Sequence, residues 1–186
     1  MANKIKYGIR NCYYAVATDD GNGNLTYATP KALKGAVSLS LDAQGETTQF
    51  YADDIIYFMT TANNGYSGSL ELALISDDFR KEVLGEVAST NGLQVEKSNA
   101  TPAEFALLFE FQGDDKATRH AMYRCVASRP AVSGATKEAS ITPQTETINI
   151  TAMPRISDMI VKSKIPAATN GAYTTWFSAV VEPTFS

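Results

Sequence analysis

The sequence predicts a mainly β protein, a β-sandwich or open barrel of about 8–10 strands with one packed α-helix. Two observations indicate this fold. Apolar residues alternate with polar ones over short segments such as Val37–Leu41 (VSLSL) and Ser69–Leu74 (SLELAL), which is the period of a strand with one buried face. Turn-forming residues, as in Asp19–Gly23 (DDGNG), separate such segments.

The length of 186 residues suits one domain, which we predict to span residues 1–186. A chain of this size buries roughly 70% of its unfolded surface, so it needs no disulfide framework. The two cysteines, Cys12 and Cys125, lie in apolar segments. We interpret them as reduced, buried side chains, with a single bridge between them as the alternative.

The net charge of −4 predicts no specific nucleic-acid binding, because phosphate contacts require clustered Lys and Arg. No apolar run approaches the roughly 20 residues of a membrane-spanning helix. The N-terminal residues lack the apolar region of a signal peptide. We therefore expect a soluble protein that is made inside the cell and has no membrane partner.

Taken in order, the first strands form a hairpin, because residues 4–17 and Asn24–Thr29 alternate on either side of the DDGNG turn. Residues 87–103 show little periodicity and predict a loop or irregular hairpin. The segment Phe105–Phe111 (FALLFEF) places four large apolar side chains on one face and is expected to be the central core strand. Later strands are predicted at 119–128 and 145–152. Residues 173–181 are predicted as a short helix, with a strand as the alternative.

The clearest helix is Ser76–Glu86 (SDDFRKEVLGE). Ser76 is placed to cap its first turn. Asp77 and Asp78 carry negative charge at the positive end of the helix dipole, and Gly85 is placed to end the helix.

The stretch Asp42–Ile75 contains a segment that is apolar on both strand faces. Along residues 55–59 (IIYFM), odd-numbered side chains point one way and even-numbered ones the other. Such a strand must be covered on both faces. Either a neighbouring copy of the chain supplies the cover, or the segment is a core strand of an ordinary β-sandwich. In the first case the residues that contact another subunit are Phe50, Tyr51, Asp53, Asp54, Ile55, Ile56, Tyr57 and Phe58.

The strands Val37–Leu41 and Ser69–Leu74 each have a second face of serine, alanine or glutamate. Such a face is well solvated. It suits a wide, water-filled passage as well as it suits plain outer surface.

The sequence offers little for catalysis. The one histidine, His120, lies in a predicted strand, and no Ser or Cys with an orienting acid is placed near it by the sequence. Asp77 and Asp78 diverge by about 100° on a helix, so they cannot share one substrate. We find no nucleotide-binding, hydrolase or metal-ligating motif. The expectation is therefore no enzyme activity, no cofactor and no metal site.

Five segments carry a family resemblance through their joint order and spacing: KYGIRNCYYAV, FYADD, NNGYSGSLELALISDDF, FALLFEFQGDDKATRHAMYRC and SITPQTETINITAMPR. Together they resemble the major tail protein, or tail tube protein, of long-tailed phages and prophages of Gram-positive bacteria. The resemblance covers essentially the whole chain. It is strongest over residues 1–154 and weaker over the C-terminal segment 155–186.

The resemblance implies a structural virion protein that forms hexameric rings, which stack into a hollow tail tube. Strands lent by each subunit would form a continuous barrel around a lumen, through which DNA passes without specific binding. A hairpin or loop within Asp42–Gly65 would project to grip the next ring. The lumen strands would lie around Val37–Leu41, residues 50–61 and residues 68–75. Because such a lumen is commonly acidic, the residues expected to face it are Ser40, Ser69 and Glu71.

The partners implied by the resemblance are further copies of the chain and other tail proteins, namely an initiator, a terminator and a tape measure. The expected location is the virion tail, after assembly in the host cytoplasm. The main alternative is a non-catalytic β-sandwich binding module that attaches a virion or surface assembly to a glycan or protein. Nine tyrosines and one tryptophan would supply its sugar platform, although most tyrosines follow strand patterns that suit packing.

Overall fold

The computed structural model describes residues 5–136, 143–167 and 171–185. These residues are mainly β, with 47% in strands and 6% in helices. The predicted fold class is therefore confirmed. The described residues form thirteen strands and two short helices. In chain order they are β1 (Tyr7–Asp19), β2 (Leu25–Tyr27), β3 (Lys31–Ala32), β4 (Ala36–Gln44), β5 (Thr47–Ala52), β6 (Ile55–Thr61), β7 (Gly65–Leu72), α1 (Asp77–Glu82), β8 (Val87–Ala88), β9 (Gln94–Val95), β10 (Phe105–Gln112), β11 (Arg119–Ala127), β12 (Glu146–Met153), β13 (Lys162–Ile165) and α2 (Gly171–Thr174).

Nine of these strands form one antiparallel sheet. Seven follow the order β2-β1-β10-β11-β12-β7-β4, while β3 pairs with β1 and β13 pairs with β11. Strand β11 pairs with β13 through its first half and with β12 through its second half. Strand β4 lies at the end of this order and yet approaches β1. The sheet therefore curls back on itself, as a sandwich or open barrel requires.

The interior of the curled sheet holds the main hydrophobic core. Phe105 of β10, Leu72 of β7 and Ile148 of β12 are fully buried there, and each belongs to the apolar face predicted by strand alternation. Leu108 of β10 joins a second buried cluster, formed with Ala121, Tyr123 and Trp176. Strand β10 is thus buried on both faces within its own chain, which confirms it as the central core strand.

Helix α1 closes one end of the core. The Phe79 amide donates to the Ser76 hydroxyl at 3.3 Å, so the predicted cap is confirmed. The buried Phe79 ring meets the rings of Tyr14 and Phe105 edge-on, at centroid distances of 5.0 and 5.5 Å. The helix ends at Glu82, three residues before Gly85.

The C-terminal part departs from the sequence-based expectation. The helix predicted over residues 173–181 is wrong in extent, because α2 covers Gly171–Thr174 and turns follow it. Strand β13 was not predicted, since its sequence KSKI has only one apolar residue.

Neither described helix is long and apolar enough to cross a membrane. Cys12 and Cys125 are both buried and free.

Two phenylalanines give a direct test of this division between core and surface. Phe79→Ala removes a fully buried ring and is expected to lower the free energy of unfolding by about 3–5 kcal/mol. Phe58→Ala removes a ring that is 58% exposed and is expected to change it by about 0.5 kcal/mol or less. Urea unfolding of the unassembled subunit measures both. Equal losses would show that Phe58 belongs to the core.

Candidate assembly surface

The stretch from β4 to β7 forms one long two-stranded ribbon. The β4–β7 pairing ends where Gln44 lies opposite Gly65, and the β5–β6 pairing begins where Thr47 lies opposite Thr61. Between them the Ala62 amide donates to the Glu46 carbonyl at 3.0 Å. We call the outer hairpin, Thr47–Thr61, the arm. At about 3.3 Å per residue, each of its strands is roughly 20 Å long.

The arm ends in a tight turn. Asp53 and Asp54, its two central residues, have φ angles of 52° and 60°. Positive φ at both positions is what a type I′ hairpin turn requires, and aspartate tolerates this conformation better than most residues. The turn chemistry therefore places two carboxylates at the tip of the arm.

The arm carries a cluster of uncovered apolar side chains. Their exposed fractions range from 49% for Ile56 to 73% for Tyr57. No other strand or helix of the described chain packs extensively against β5 or β6. Contiguous exposed apolar surface of this kind marks an interaction site. The cluster consists of Phe50, Tyr51, Ile55, Ile56, Tyr57, Phe58 and Met59.

The eight residues predicted to contact another subunit all lie on the arm or at its tip. The alternative, that this segment is a core strand of an ordinary sandwich, is wrong, because its large side chains are exposed. Strict alternation along residues 55–59 is interrupted: Phe50 faces Phe58 while Tyr51 faces Ile56, so Tyr57 is an extra residue in a bulge. A bulge increases the local twist of the ribbon.

All charged residues in the arm and the chain around it are acidic. Residues 35–79 contain no Lys, Arg or His and seven Asp or Glu. A surface that receives the arm must therefore accommodate carboxylates without help from cations of the arm itself.

A second surface lies on the outer side of β4, β7 and β12. Ser40 lies opposite Ser69, which in turn lies opposite Asn149. Three such rows form what we call the polar face, which has two carboxylates and no cation. Its residues are Ser38, Ser40, Asp42, Ser67, Ser69, Glu71, Thr147, Asn149 and Thr151.

Glu71 is held in place on the polar face. Its carboxylate accepts hydrogen bonds from the hydroxyls of Thr145 at 2.7 Å and Ser38 at 2.8 Å. Both hydrogen bonds lower the pKa of Glu71 because they favour its ionised form, and the bond from Thr145 has the larger effect. The carboxylate is therefore charged at neutral pH.

The three residues predicted to face a lumen, Ser40, Ser69 and Glu71, are neighbours on the polar face. The contribution of β12 to this face was missed by sequence reasoning. Its alternation (TETINITA) was visible, but its pairing with β7 joins residues more than seventy positions apart, and no local pattern encodes such a partner.

The residues considered for catalysis have structural surroundings. The ring of His120 stacks on that of Phe109, with centroids 5.2 Å apart. Burial lowers the pKa of His120, and the charge of Lys6 lowers it further. Asp77 and Asp78 lie in the first turn of α1, as expected for dipole stabilisation. No group of His, Cys, Asp or Glu within the described ranges is arranged to hold a metal ion.

A mainly β chain with an uncovered apolar arm has the character of a subunit of a larger assembly. A family model described as phage tail tube protein matches residues 2–159. The chain therefore belongs to the phage tail tube family, a structural family whose members assemble with other tail components in the virion tail. A comparison with curated proteins finds no match.

Limited proteolysis tests whether the arm is covered by other copies. Chymotrypsin cuts after aromatic residues, and we expect cleavage at Phe50–Phe58 in free subunits and protection after assembly. Trypsin is the matched control, because there is no Lys or Arg between Lys34 and Arg80. Equal chymotryptic cleavage in both states would show that the arm stays uncovered.

Proposed function

We propose that this chain is the repeating subunit of the tail tube, in which hexameric rings stack around a lumen that conducts DNA into the host. The observation that supports this proposal is the exposed apolar surface of the arm. Its apolar side chains have no cover in the described chain, and a second copy supplies one. Burial of one large apolar side chain stabilises such a contact by about 1.5–3 kcal/mol.

The polar face is the proposed lumen wall, with Ser40, Ser69 and Glu71 directed toward the DNA. Hydroxyl and amide groups keep such a wall hydrated. The carboxylates of Asp42 and Glu71 deny phosphate groups a binding site, and salt limits their reach to roughly 8 Å. The wall therefore lets DNA pass without holding it.

The partners in this proposal are further copies of the chain, an initiator, a terminator and a tape measure protein. The chain acts as a structural component without catalysis, and assembly takes place in the host cytoplasm. A Gram-positive host and a single domain over residues 1–186 stay predictions.

Ile55→Asp tests the role of the arm. The side chain is 63% exposed in the subunit, so the fold is expected to persist, with an unchanged circular dichroism spectrum. Tube growth is expected to be lost, because a new carboxylate would be buried in an apolar contact. Negative-stain electron microscopy of concentrated protein measures this, with hollow rods of regular axial repeat expected for the unaltered chain.

Gln49→Asp is the matched control, because it adds the same charge to the arm at a residue that is already polar. It is expected to assemble. Loss of the subunit fold in Ile55→Asp would place Ile55 in the core, and normal tubes from it would remove the arm from the assembly contacts.

Glu71→Lys tests the position of the polar face. Assembly is expected to continue, since the side chain points away from the core. DNA ejection is expected to slow, because a row of lysines around a lumen binds phosphate. The measurement is ejection from virions carrying the variant, with Glu71→Gln as the uncharged control. Normal ejection by Glu71→Lys would argue against a lumen position.

A further inference from the structure

We propose that the arm of one copy is received, in the next copy along the tube, by the β8–β9 hairpin and the adjoining surface of α1. We call residues 87–95 the distal hairpin. This inference rests on the proposed function and identifies the surface that completes it.

The position of the two hairpins supports an end-to-end contact. Strand β7 begins at Gly65, where the arm joins the body, and after Leu72 the chain turns into α1 and the distal hairpin. Eight residues of strand separate the two by about 25 Å. The arm and the distal hairpin thus lie at opposite ends of β7. When copies stack in the same orientation, the arm of one copy meets the distal hairpin of the next. This contact can repeat along the whole stack.

The distal hairpin offers apolar surface of the kind the arm needs. Val87 lies opposite Val95, so these side chains are neighbours on one face. Leu93 in the turn is 59% exposed, and Leu74, just before α1, is 69% exposed. Val87 and Val95 are 45% and 37% exposed, so uncovered apolar side chains lie on the distal hairpin and just before α1, beyond the far end of β7.

The distal hairpin is also held rigid. The Ser89 hydroxyl accepts from the Leu93 amide at 2.9 Å, and the Ser89 amide donates to the Leu93 carbonyl at 2.7 Å. Glu86 accepts from the Gln94 amide group at 2.6 Å and pairs with Arg80. A surface already fixed in this way loses little conformational entropy when a partner binds.

The charges around the distal hairpin complement the arm. Lys81 on α1 and Lys97 just after β9 are exposed, and no ion pair within the described ranges involves either of them. The tip of the arm presents Asp53 and Asp54, so docking brings opposite charges together. The carboxylates of Asp77 and Asp78 at the start of α1 oppose this attraction in part. Contact between apolar side chains supplies the remaining binding energy.

A competing receiver is the groove beside the β10–β11 turn. It has a volume of about 520 Å³, and its lining includes Lys6, Lys116 and Lys164, but also Asp114 and Asp115. The groove lies at the same end of the sheet as the arm, since β10 ends and β11 begins there. An arm seated in it would join copies side by side. We assign the distal hairpin because it combines exposed apolar side chains with end-to-end placement.

Cysteine cross-linking between two variants tests this assignment. One variant carries Asp54→Cys and a size tag, and the other carries Leu93→Cys. The native thiols do not interfere, because burial raises the pKa of Cys12 and of Cys125 to about 12. The matched control replaces Leu93→Cys by Lys164→Cys in the groove. After co-assembly and mild oxidation, we expect roughly tenfold more cross-linked pair with Leu93→Cys than with Lys164→Cys.

The outcomes separate this inference from the function on which it rests. Tubes that cross-link only through Lys164→Cys, or through neither position, would overturn the distal hairpin as receiver and leave the tube intact. Failure of the unaltered chain to form tubes would overturn the function itself. Thr90→Cys, in the same turn, replaces Leu93→Cys if that variant does not assemble, and the same excess is expected.

Discussion

The pairing of β7 with β4 on one side and β12 on the other is the constraint on which both candidate surfaces depend. It sends Leu70 and Leu72 into the core and leaves Ser69 and Glu71 outside. A slip of one residue would exchange these faces. Gly68 helps to fix the register, because a Cβ at that position would lie 1.9 Å from the Ser40 carbonyl oxygen. The arm continues the same two strands, so its direction follows from this register.

The chain covers its two most apolar strands in different ways. Strand β10 is covered inside by the main core and outside by a cluster that includes Trp176 of the C-terminal segment. Arg119 anchors this segment, because it donates to the Tyr173 carbonyl and lies over the Tyr173 ring at 3.9 Å. Glu110 forms an ion pair with Arg119, with 3.3 Å between Glu110 Oε2 and Arg119 Nε. The arm has no comparable cover among the described residues, and this exposed apolar surface is the basis of the proposed contact with another copy.

Local pattern predicted the parts of this molecule that local chemistry determines. The Ser76 cap and the FALLFEF strand follow from residues a few positions apart. The apolar IIYFM run required cover on both faces, but the pattern alone did not decide between a hairpin covered by another copy and a core strand. Local pattern did not predict features that depend on pairing between strands far apart in the sequence or on the register of two strands. Strand β13 exists because β11 offers it an edge, and the bulge at Tyr57 arises from the register of β5 on β6. The polar residues of β12 join the polar face only through its pairing with β7.

The charge of the arm disfavours direct contact between the arms of two copies. An isologous contact between two arms would cover apolar surface, but it would also bring four carboxylates, from Asp53 and Asp54 of each copy, close together. Residues 35–79 contain no cation to offset them, and like charges in apposition cost several kcal/mol. A heterologous contact avoids this cost when the receiving surface carries lysines. The sequence of the arm thus favours the open, repeating interface that a tube requires over a closed dimer.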